Sequence, residues 1–483
     1  MSDYDLLDFD CATKAISPAS IEYFGAWIDA VTARGARPIL SLSYVPPCFA
    51  RNGQPKGPPN AADVGEYRAF LDALLAALVT DRVEAGKEPL RWFELWNEPD
   101  IALDPGSPNT GHGYVGTLDE YVALNLPSLV GAILQVEADS GVDLHIGTPA
   151  AYSPWTMASV YGDLPTLFER ANGFDRATAE LLAASADAVL GPGGSMRLME
   201  DGGIRWPRRV TDEAAALGLT LDFASVHLYP NTPMLGLRFP EPTEPVLTIG
   251  RNPEASPDAY RALADLWSAE FPDQQLIVSE WGLSASGADA RSGTCETASF
   301  DAAALSVMQD SAIDRALFLN LGRSRFGVED APFRAWSALP DAQVSVSVPS
   351  TVGEVWSTAA SGGGRTTLLL SQWHSKLTDA VDLALPVVVE GLPHGTYEVT
   401  VETIGQGTSP AAAAAELVVA AAGGRLTLPD PVELRGQAFV RVDVRAAGVD
   451  PLPALTAADP SGAAHTCLLP APAPSPAHHR PPR

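Results

Sequence analysis

Two rhythms of apolar and polar residues divide the chain. From Ser17 to about Leu321, short apolar runs alternate with segments whose apolar residues recur every three or four positions. That is the pattern of strands alternating with amphipathic helices. Ser17 and Pro18 read as an N-cap and a proline at the first helical position; Ile21, Phe24, Ile28 and Val31 then share a face, and Gly35 ends the helix. The run ILSLSYV (39–45) follows as a strand. Asn60 precedes a helix whose apolar face carries Val64, Tyr67, Phe70, Leu71, Leu74 and Leu78, and WFELW (92–96) is the next strand. Thr117 and Glu120 form a capping box ahead of a further helix, which Pro127 is expected to kink. HIGTPA (145–150), DFASVHLY (222–229), LIVSEWG (276–282) and ALFLNL (316–321) bring the strands to six. Between them lie a helical insert over 164–190, a helix capped by Ser256 and Pro257 that runs to Phe271, and a helix from Phe300 to Asp314. This alternation predicts an α/β fold with a parallel sheet and helices outside it.

After about residue 330 the rhythm changes. VSVSV, EVWST, TTLLLSQW, AVDLALPVVV, TYEVTVETI, AELVVA, RLTL and AFVRVDV are short β-rich runs separated by turn residues. They predict an antiparallel β-sandwich of seven or eight strands. From 446 to 483 the chain is rich in Pro and Ala and has no periodic core face, so a disordered tail is expected. The expected organisation is a barrel over 1–330, a sandwich over 331–445 and a tail over 446–483.

Composition narrows the partners. At 483 residues and 46% hydrophobic, the chain has material for a sizeable core, which excludes wholesale disorder. Acids outnumber bases 59 to 31, for a formal net charge of −28. Such a surface repels phosphate backbones, so a nucleic-acid partner is not expected. No uninterrupted apolar run reaches the roughly 18 residues of a membrane span. The N-terminus MSDYDLLDFD is acidic and lacks an apolar core, so no signal peptide is visible and a cytoplasmic location is expected. Cys11, Cys48, Cys295 and Cys467 are widely separated and are expected to be reduced thiols.

Two acids stand out by position. Glu98, in WFELWNEPD, and Glu280, in LIVSEWG, sit at the C-terminal ends of two predicted parallel strands, the end at which active sites of parallel barrels assemble. Paired carboxyls there suit glycosidic-bond hydrolysis, one as a protonated acid and the other as an ionised nucleophile or base. Trp96 and Trp281 neighbour the two acids; aromatic faces stack on sugar rings and desolvate a carboxyl. Alone, Glu98 would read as well as a cap for the following loop. The matching second glutamate favours chemistry.

The order WNEP, HLYP, SEWG on successive strand ends resembles the clan A glycoside hydrolases, most of all family 39, the β-xylosidase and α-L-iduronidase family. RPILSLSYVP, FELWNEPD, HIGTPA, DFASVHLYP and LIVSEWG carry the resemblance over about residues 17–322. It implies a TIM (β/α)8-type barrel followed by an antiparallel β-sandwich, and retaining hydrolysis with no metal or organic cofactor. Residue by residue, it implies that Glu98 is the general acid/base, Glu280 the nucleophile and Asn97 the partner of the sugar 2-hydroxyl. His227 and Tyr229 match the strand-six pair, with Tyr229 positioning the nucleophile. Tyr44 and Trp281 are candidates for the sugar-binding wall, although single aromatics in strands are as often core. His227 also reads as a core histidine satisfied by backbone. His112, His145 and His227 show no ligand spacing, so no catalytic metal is expected.

Two departures accompany the resemblance. The family barrel has eight strands, and strands one and two have no counterpart here unless YDLLDFD (4–10) is a remnant. A start further upstream, a makeshift closure by that segment, or pairing with a second chain would each deal with the open edges; the motif order favours the first. At strand eight, ALFLNLGRSRFG lacks the family's tryptophan-rich end and offers Asn320, Arg323 and Arg325. These arginines suit a carboxylated sugar, or pair with Glu329 and Asp330. The expected protein is an exo-acting, β-xylosidase-like hydrolase of oligosaccharides or glycosides. The alternatives are a non-catalytic carbohydrate-binding descendant and another clan A activity (arabinofuranosidase, glucosylceramidase-like or endo-glycanase).

Overall fold

The structure, a computed structural model, describes residues 8–100, 113–152, 203–230, 256–283, 294–319, 330–348, 354–374, 381–405 and 414–455, with short helical pieces between 165 and 184. The chain divides into two compact units. One holds Met1–Glu254, Ala259–Gly282 and Ser311–Leu319; the other holds Ala255–Asp258, Leu283–Asp310 and Asn320–Arg483.

The first unit opens with an antiparallel ribbon of β1 (Phe9–Asp10) and β2 (Ala15–Ile16), followed by α1 (Pro18–Thr32). A parallel sheet then grows strand by strand: β3 (Ile39–Ser41), β4 (Trp92–Glu94), β5 (His145–Gly147), β6 (Phe223–Leu228), β7 (Gln275–Trp281) and β8 (Arg315–Phe318). They pair in chain order, all parallel, which is the progression of a barrel wall. The wall curls without closing: β3 and β8 remain edges of this sheet among the described residues. Its curl is visible in the lumen. The guanidinium of Arg315, on β8, lies 4.3 Å from the ring centroid of Trp92, on β4. Trp92 also stacks on His145 at 4.2 Å and tilts against Phe223 at 5.6 Å. Gly147 has no Cβ because one would run into the Phe223 ring.

Helices α2 (Val64–Leu75) and α3 (Leu126–Ser140) pack against each other outside the sheet. On α2 the buried residues are Tyr67, Phe70, Leu71, Leu74 and Leu75, close to the face read from the sequence. The capping box forms as expected, with Thr117 and Glu120 each accepting the other's backbone N–H. Pro127 stands in the second position of α3 (Leu126–Ser140), directly after a π turn over Tyr121–Asn125; the helix meets the missing proline N–H with this local irregularity. The continuous helical stretch Leu118–Ser140 has the length and mean hydropathy of a membrane span, although no long uninterrupted apolar run was read there. Half of its most apolar window is buried inside the protein.

Three expectations change. The described part of YDLLDFD joins no barrel strand; Phe9 packs edge-on against Phe49 and Phe70 instead, at 5.4 and 5.1 Å. Cys11 and Cys48 are not reduced thiols: they form a disulfide, with Cα atoms 5.7 Å apart. Cys295 is disulfide-bonded too. Disulfides persist in oxidising compartments, so the cysteine argument for the cytosol falls away. The third change concerns the helix expected over 300–314, which runs from Cys295 to Gln309, capped by the Thr294 side chain. It packs on the second unit, because its faces are lined by small residues that fit closely against a sheet. Ala298 and Ala302 meet Leu369, Ile404 and Phe439 there. The insert over 164–190 lies largely outside the described residues.

The second unit is antiparallel. Its main sheet orders β15 (Ala414–Ala421), β14 (Gly395–Gly405), β18 (Ala438–Ala446), β11 (Arg365–Gln372), β10 (Val355–Gly362) and β9 (Ala342–Val344). Two ribbons, β12 (Leu383–Leu385) with β17 (Val432–Leu434) and β13 (Val388–Glu390) with β16 (Arg425–Thr427), supply the opposing layer. Leu385, Leu426 and Leu434 from the ribbons pack with Val399, Val440 and Val442 from the sheet. The chain beyond 446 does not leave the unit at once: Leu455 is buried and its carbonyl accepts a hydrogen bond from Arg334. Residues 456–483 lie outside the described residues.

The Cys11–Cys48 bond closes a loop of 37 residues, for which chain entropy gives about 2–4 kcal/mol of stabilisation. Cys11→Ser combined with Cys48→Ser should lower the unfolding free energy of oxidised protein by that amount. Urea titration with and without reductant checks it.

Candidate active site

The parallel pairing of β4 and β5 continues beyond the regular strands through a bridge between Asn97 and Ala150. Glu98 donates its N–H to the Ala150 carbonyl at 2.9 Å, and Ala150 donates to Trp96 at 2.9 Å. Over this stretch the backbone turns sharply: Trp96 has φ 151° and Glu98 φ 46°. Positive φ at residues with a Cβ costs on the order of 1–3 kcal/mol each, and the surroundings offset it. The Trp96 ring is fully buried and met edge-on by Tyr44, Tyr114 and Tyr121, with centroids 5.7, 5.3 and 5.7 Å away. The Tyr121 hydroxyl donates to the Leu95 carbonyl, and Asn97 donates its N–H to Ser43 Oγ at 2.9 Å.

The opposite carboxylate is aimed by a bulge. Val226 pairs with Val278, but the next residue, His227, pairs with Glu280. Ser279 is therefore an extra residue on β7, and the β7–β8 register shifts over the same stretch. A bulge re-aims side chains that strict alternation would send to opposite faces.

Glu98, His227 and Glu280 converge so that one atom from each lies within 4.8 Å of the others. His227 Nδ1 is 2.8 Å from Glu98 Oε1 and 3.5 Å from Glu280 Oε2. Tyr229 donates its hydroxyl to the same Oε2 at 2.6 Å. The Glu280 side chain is 28% exposed against 9% for Glu98. Burial alone would strip His227 of its proton, yet Glu280, Glu98 and Glu94 together raise its pKa to about 9. His227 is therefore an imidazolium at neutral pH. Burial and the neighbouring Glu280 carboxylate hold the Tyr229 pKa well above that of a free phenol, so it remains a donor. The same three residues form a group able to offer ligand atoms to a metal.

Two buried acids were not singled out in the sequence. Glu94 lies on β4 below Glu98, accepts a hydrogen bond from Ser225 Oγ, and has its pKa raised by burial. Asp100 is fully buried and accepts the N–H groups of Tyr152 and Gly203, each at 2.7 Å. Burial raises its pKa to about 7 despite those bonds. Both stand in the WFELWNEPD segment, and a Glu inside a short apolar strand was the available signal for Glu94.

The structure brings together Glu98, His227, Tyr229 and Glu280; Asn97 is buried beside Glu98 in the chain, and its backbone N–H bonds Ser43. Tyr44 and Trp281, expected at a sugar-binding wall, are buried. Tyr44 lies edge-on to Trp96, and Trp281 packs edge-on against Phe318 and Tyr260 at 4.9 and 5.9 Å. Trp96 is likewise enclosed and presents no stacking face. His145 stacks on Trp92 at the lumen floor, away from the pair. His112, Asn320, Arg323 and Arg325 lie outside the described residues.

The shifted groups fix how stability depends on pH. Asp100 has a folded pKa above its unfolded 3.8, so its contribution is complete below that value and lost as pH rises to about 7. His227 contributes fully below 6.5 and loses that contribution as pH rises through about 9. The melting temperature of the protein should therefore fall between pH 6.5 and 9, and His227→Gln should flatten that slope. Thermal melts across this range check it.

No family model and no curated protein matches the sequence. Solved structures do. The fold is similar to that of a GH39 enzyme from Xanthomonas axonopodis pv. citri, with TM-score 0.59 and 14% identity, covering 92% of this chain and 87% of that one. A monomeric β-xylosidase from Caulobacter crescentus matches with TM-score 0.57 and 15% identity, over 92% and 87%. A glucosidase from Croceicoccus marinus matches with TM-score 0.55 and 14% identity, over 89% and 84%. At such identities the likeness is one of fold. The chain thus shares the fold of glycoside hydrolases of the family 39 type, built on a parallel wall that does not close among the described residues.

Proposed function

We propose that the protein is a retaining glycoside hydrolase acting as a β-xylosidase-like exo-enzyme. The observation that carries this reading is the convergence of the Glu98 and Glu280 carboxyls to within 4.8 Å. Retaining enzymes hold their two carboxyls about 5–5.5 Å apart, whereas inverting enzymes leave room for a water.

The contacts support distinct roles. Tyr229 and His227 both address Oε2 of Glu280, which leaves Oε1 outside those contacts. A carboxylate that accepts from a phenol and lies beside an imidazolium suits nucleophilic attack on an anomeric carbon. The proton between His227 Nδ1 and Glu98 Oε1 lies in a 2.8 Å hydrogen bond. Its transfer along that bond converts the ion pair into neutral imidazole and carboxylic acid, the form Glu98 needs to protonate a leaving oxygen. Glu280 forms a bond to the anomeric carbon as the glycosidic C–O bond breaks and the leaving oxygen takes the Glu98 proton. Glu98, now ionised, deprotonates a water that displaces Glu280 from the sugar. The β-xylosidase activity in the name of the Caulobacter structure supports xyloside as the first substrate to try.

The 4-nitrophenyl β-xyloside, β-glucoside, α-arabinofuranoside and α-iduronide should be assayed together, with the xyloside expected to turn over. Proton NMR should show a product of retained configuration. Glu98→Ala should lose about 10²–10⁴-fold in kcat on unactivated glycosides, and Glu280→Ala should be inactive without added nucleophile. A folded wild type that cleaves none of the four would refute the enzyme reading; an inverted product would refute only the retaining mechanism.

A further inference from the structure

Beneath the two carboxylates lies a second polar layer whose hydrogen bonds the chemistry above does not use. Parallel barrels ordinarily fill this level with branched apolar side chains. Here Ser225 Oγ, on β6, donates to Glu94 Oε1 on β4 and stands 2.8 Å from Ser279 Oγ on β7. Ser279 adds a side-chain hydrogen bond to the same carboxyl. Each member lies just below or beside a residue of the site on its own strand: Glu94 below Glu98, Ser225 below His227, Ser279 next to Glu280. Ser279 is also the bulged residue of β7.

β4 and β7 are not neighbours, since β5 and β6 lie between them. The contacts of Glu94 therefore cross the lumen rather than follow the sheet. In a closed barrel, backbone ladders running both ways round would fix the distance between two strands. Among the described residues this wall connects β4 to β7 in one direction only, so the distance from Glu98 to Glu280 varies with the curl of the wall. A leucine of similar volume would fill the space at less desolvation cost. What the carboxyl adds is a directional tie to two strands at once.

We infer that Glu94, through Ser225 and Ser279, is a positioning residue that sets the curl of the wall and the bulge of β7, and thereby the separation of Glu98 from Glu280. The inference rests on the reading of those two glutamates as acid/base and nucleophile. Glu94 touches no substrate, so its removal should act on kcat and leave KM nearly unchanged.

The test compares Glu94→Gln, Glu94→Ala and the double variant Ser225→Ala with Ser279→Ala on 4-nitrophenyl β-xyloside. The amide of Gln still accepts from both hydroxyls, so Glu94→Gln should keep kcat within about threefold of wild type. Misplacing reacting groups by about 1 Å costs on the order of 10²-fold. Glu94→Ala and the double serine variant should show that loss in kcat, with KM within about threefold. A loss of stability alone would not produce this split, nor its rescue by Gln. If Glu94→Ala does not fold, the serine variant carries the test. A folded Glu94→Ala or double serine variant with wild-type kcat would overturn the proposal, as would a Glu94→Gln as slow as Glu94→Ala. Should wild type hydrolyse no glycoside, crystal structures of the same variants decide it independently. Glu98 and Glu280 should separate by roughly 1 Å in Glu94→Ala and keep their distance in Glu94→Gln; an unchanged distance in Glu94→Ala would sink the inference whatever the activity.

Discussion

His227 carries its proton in the lumen of the parallel wall, fully buried, with three carboxyl groups as its electrostatic neighbours. A lone imidazolium there would deprotonate, and a lone pair of carboxylates within 4.8 Å would repel until one took up a proton. Together they hold each other. The cation lies 2.8 Å from Glu98 and 3.5 Å from Glu280. This charge arrangement also sets the limit on stability at alkaline pH, because the His227 contribution disappears as its proton leaves.

That arrangement depends on backbone conformations that no single strand would adopt by itself. β4 delivers Glu98 through two positive-φ residues, held down by the buried Trp96 ring and its three tyrosine neighbours. β7 delivers Glu280 through a bulge. Both are strained or irregular features at strand ends, supported from outside by aromatic packing and from below by the Glu94, Ser225 and Ser279 layer. The polar lumen gives up some apolar burial in exchange for directional contacts, which matter more where, as among the described residues, the wall's ladders do not close.

Much of the chain was legible in its residues because period and position carry the information. The six parallel strands, the capping box at Thr117 and Glu120, and the shift to an antiparallel unit all follow from local patterning. Glu98 and Glu280 were found because parallel strand ends are where polar residues gather, and the motif order added His227 and Tyr229. Glu94 escaped notice because a single acid in an apolar strand gives no hint of which partners it meets. The aromatics misled for the opposite reason: Tyr44, Trp96 and Trp281 sit next to the right residues in sequence, but a ring's neighbours in space decide whether it faces sugar or core. The helix Cys295–Gln309 fits the alternation of the wall and yet packs on the second unit, since small residues on every face suit either surface.

The sequence by itself determined the order of elements, the two fold classes and the two carboxylates, because hydrophobic period and turn chemistry act over a few residues. Only the tertiary structure decided that Cys11 meets Cys48, that Ser279 is bulged and that His227 is charged. Each of these depends on groups far apart in the chain meeting at distances of a few ångströms. Electrostatic energy, covalent pairing and register respond to that distance and not to spacing along the sequence.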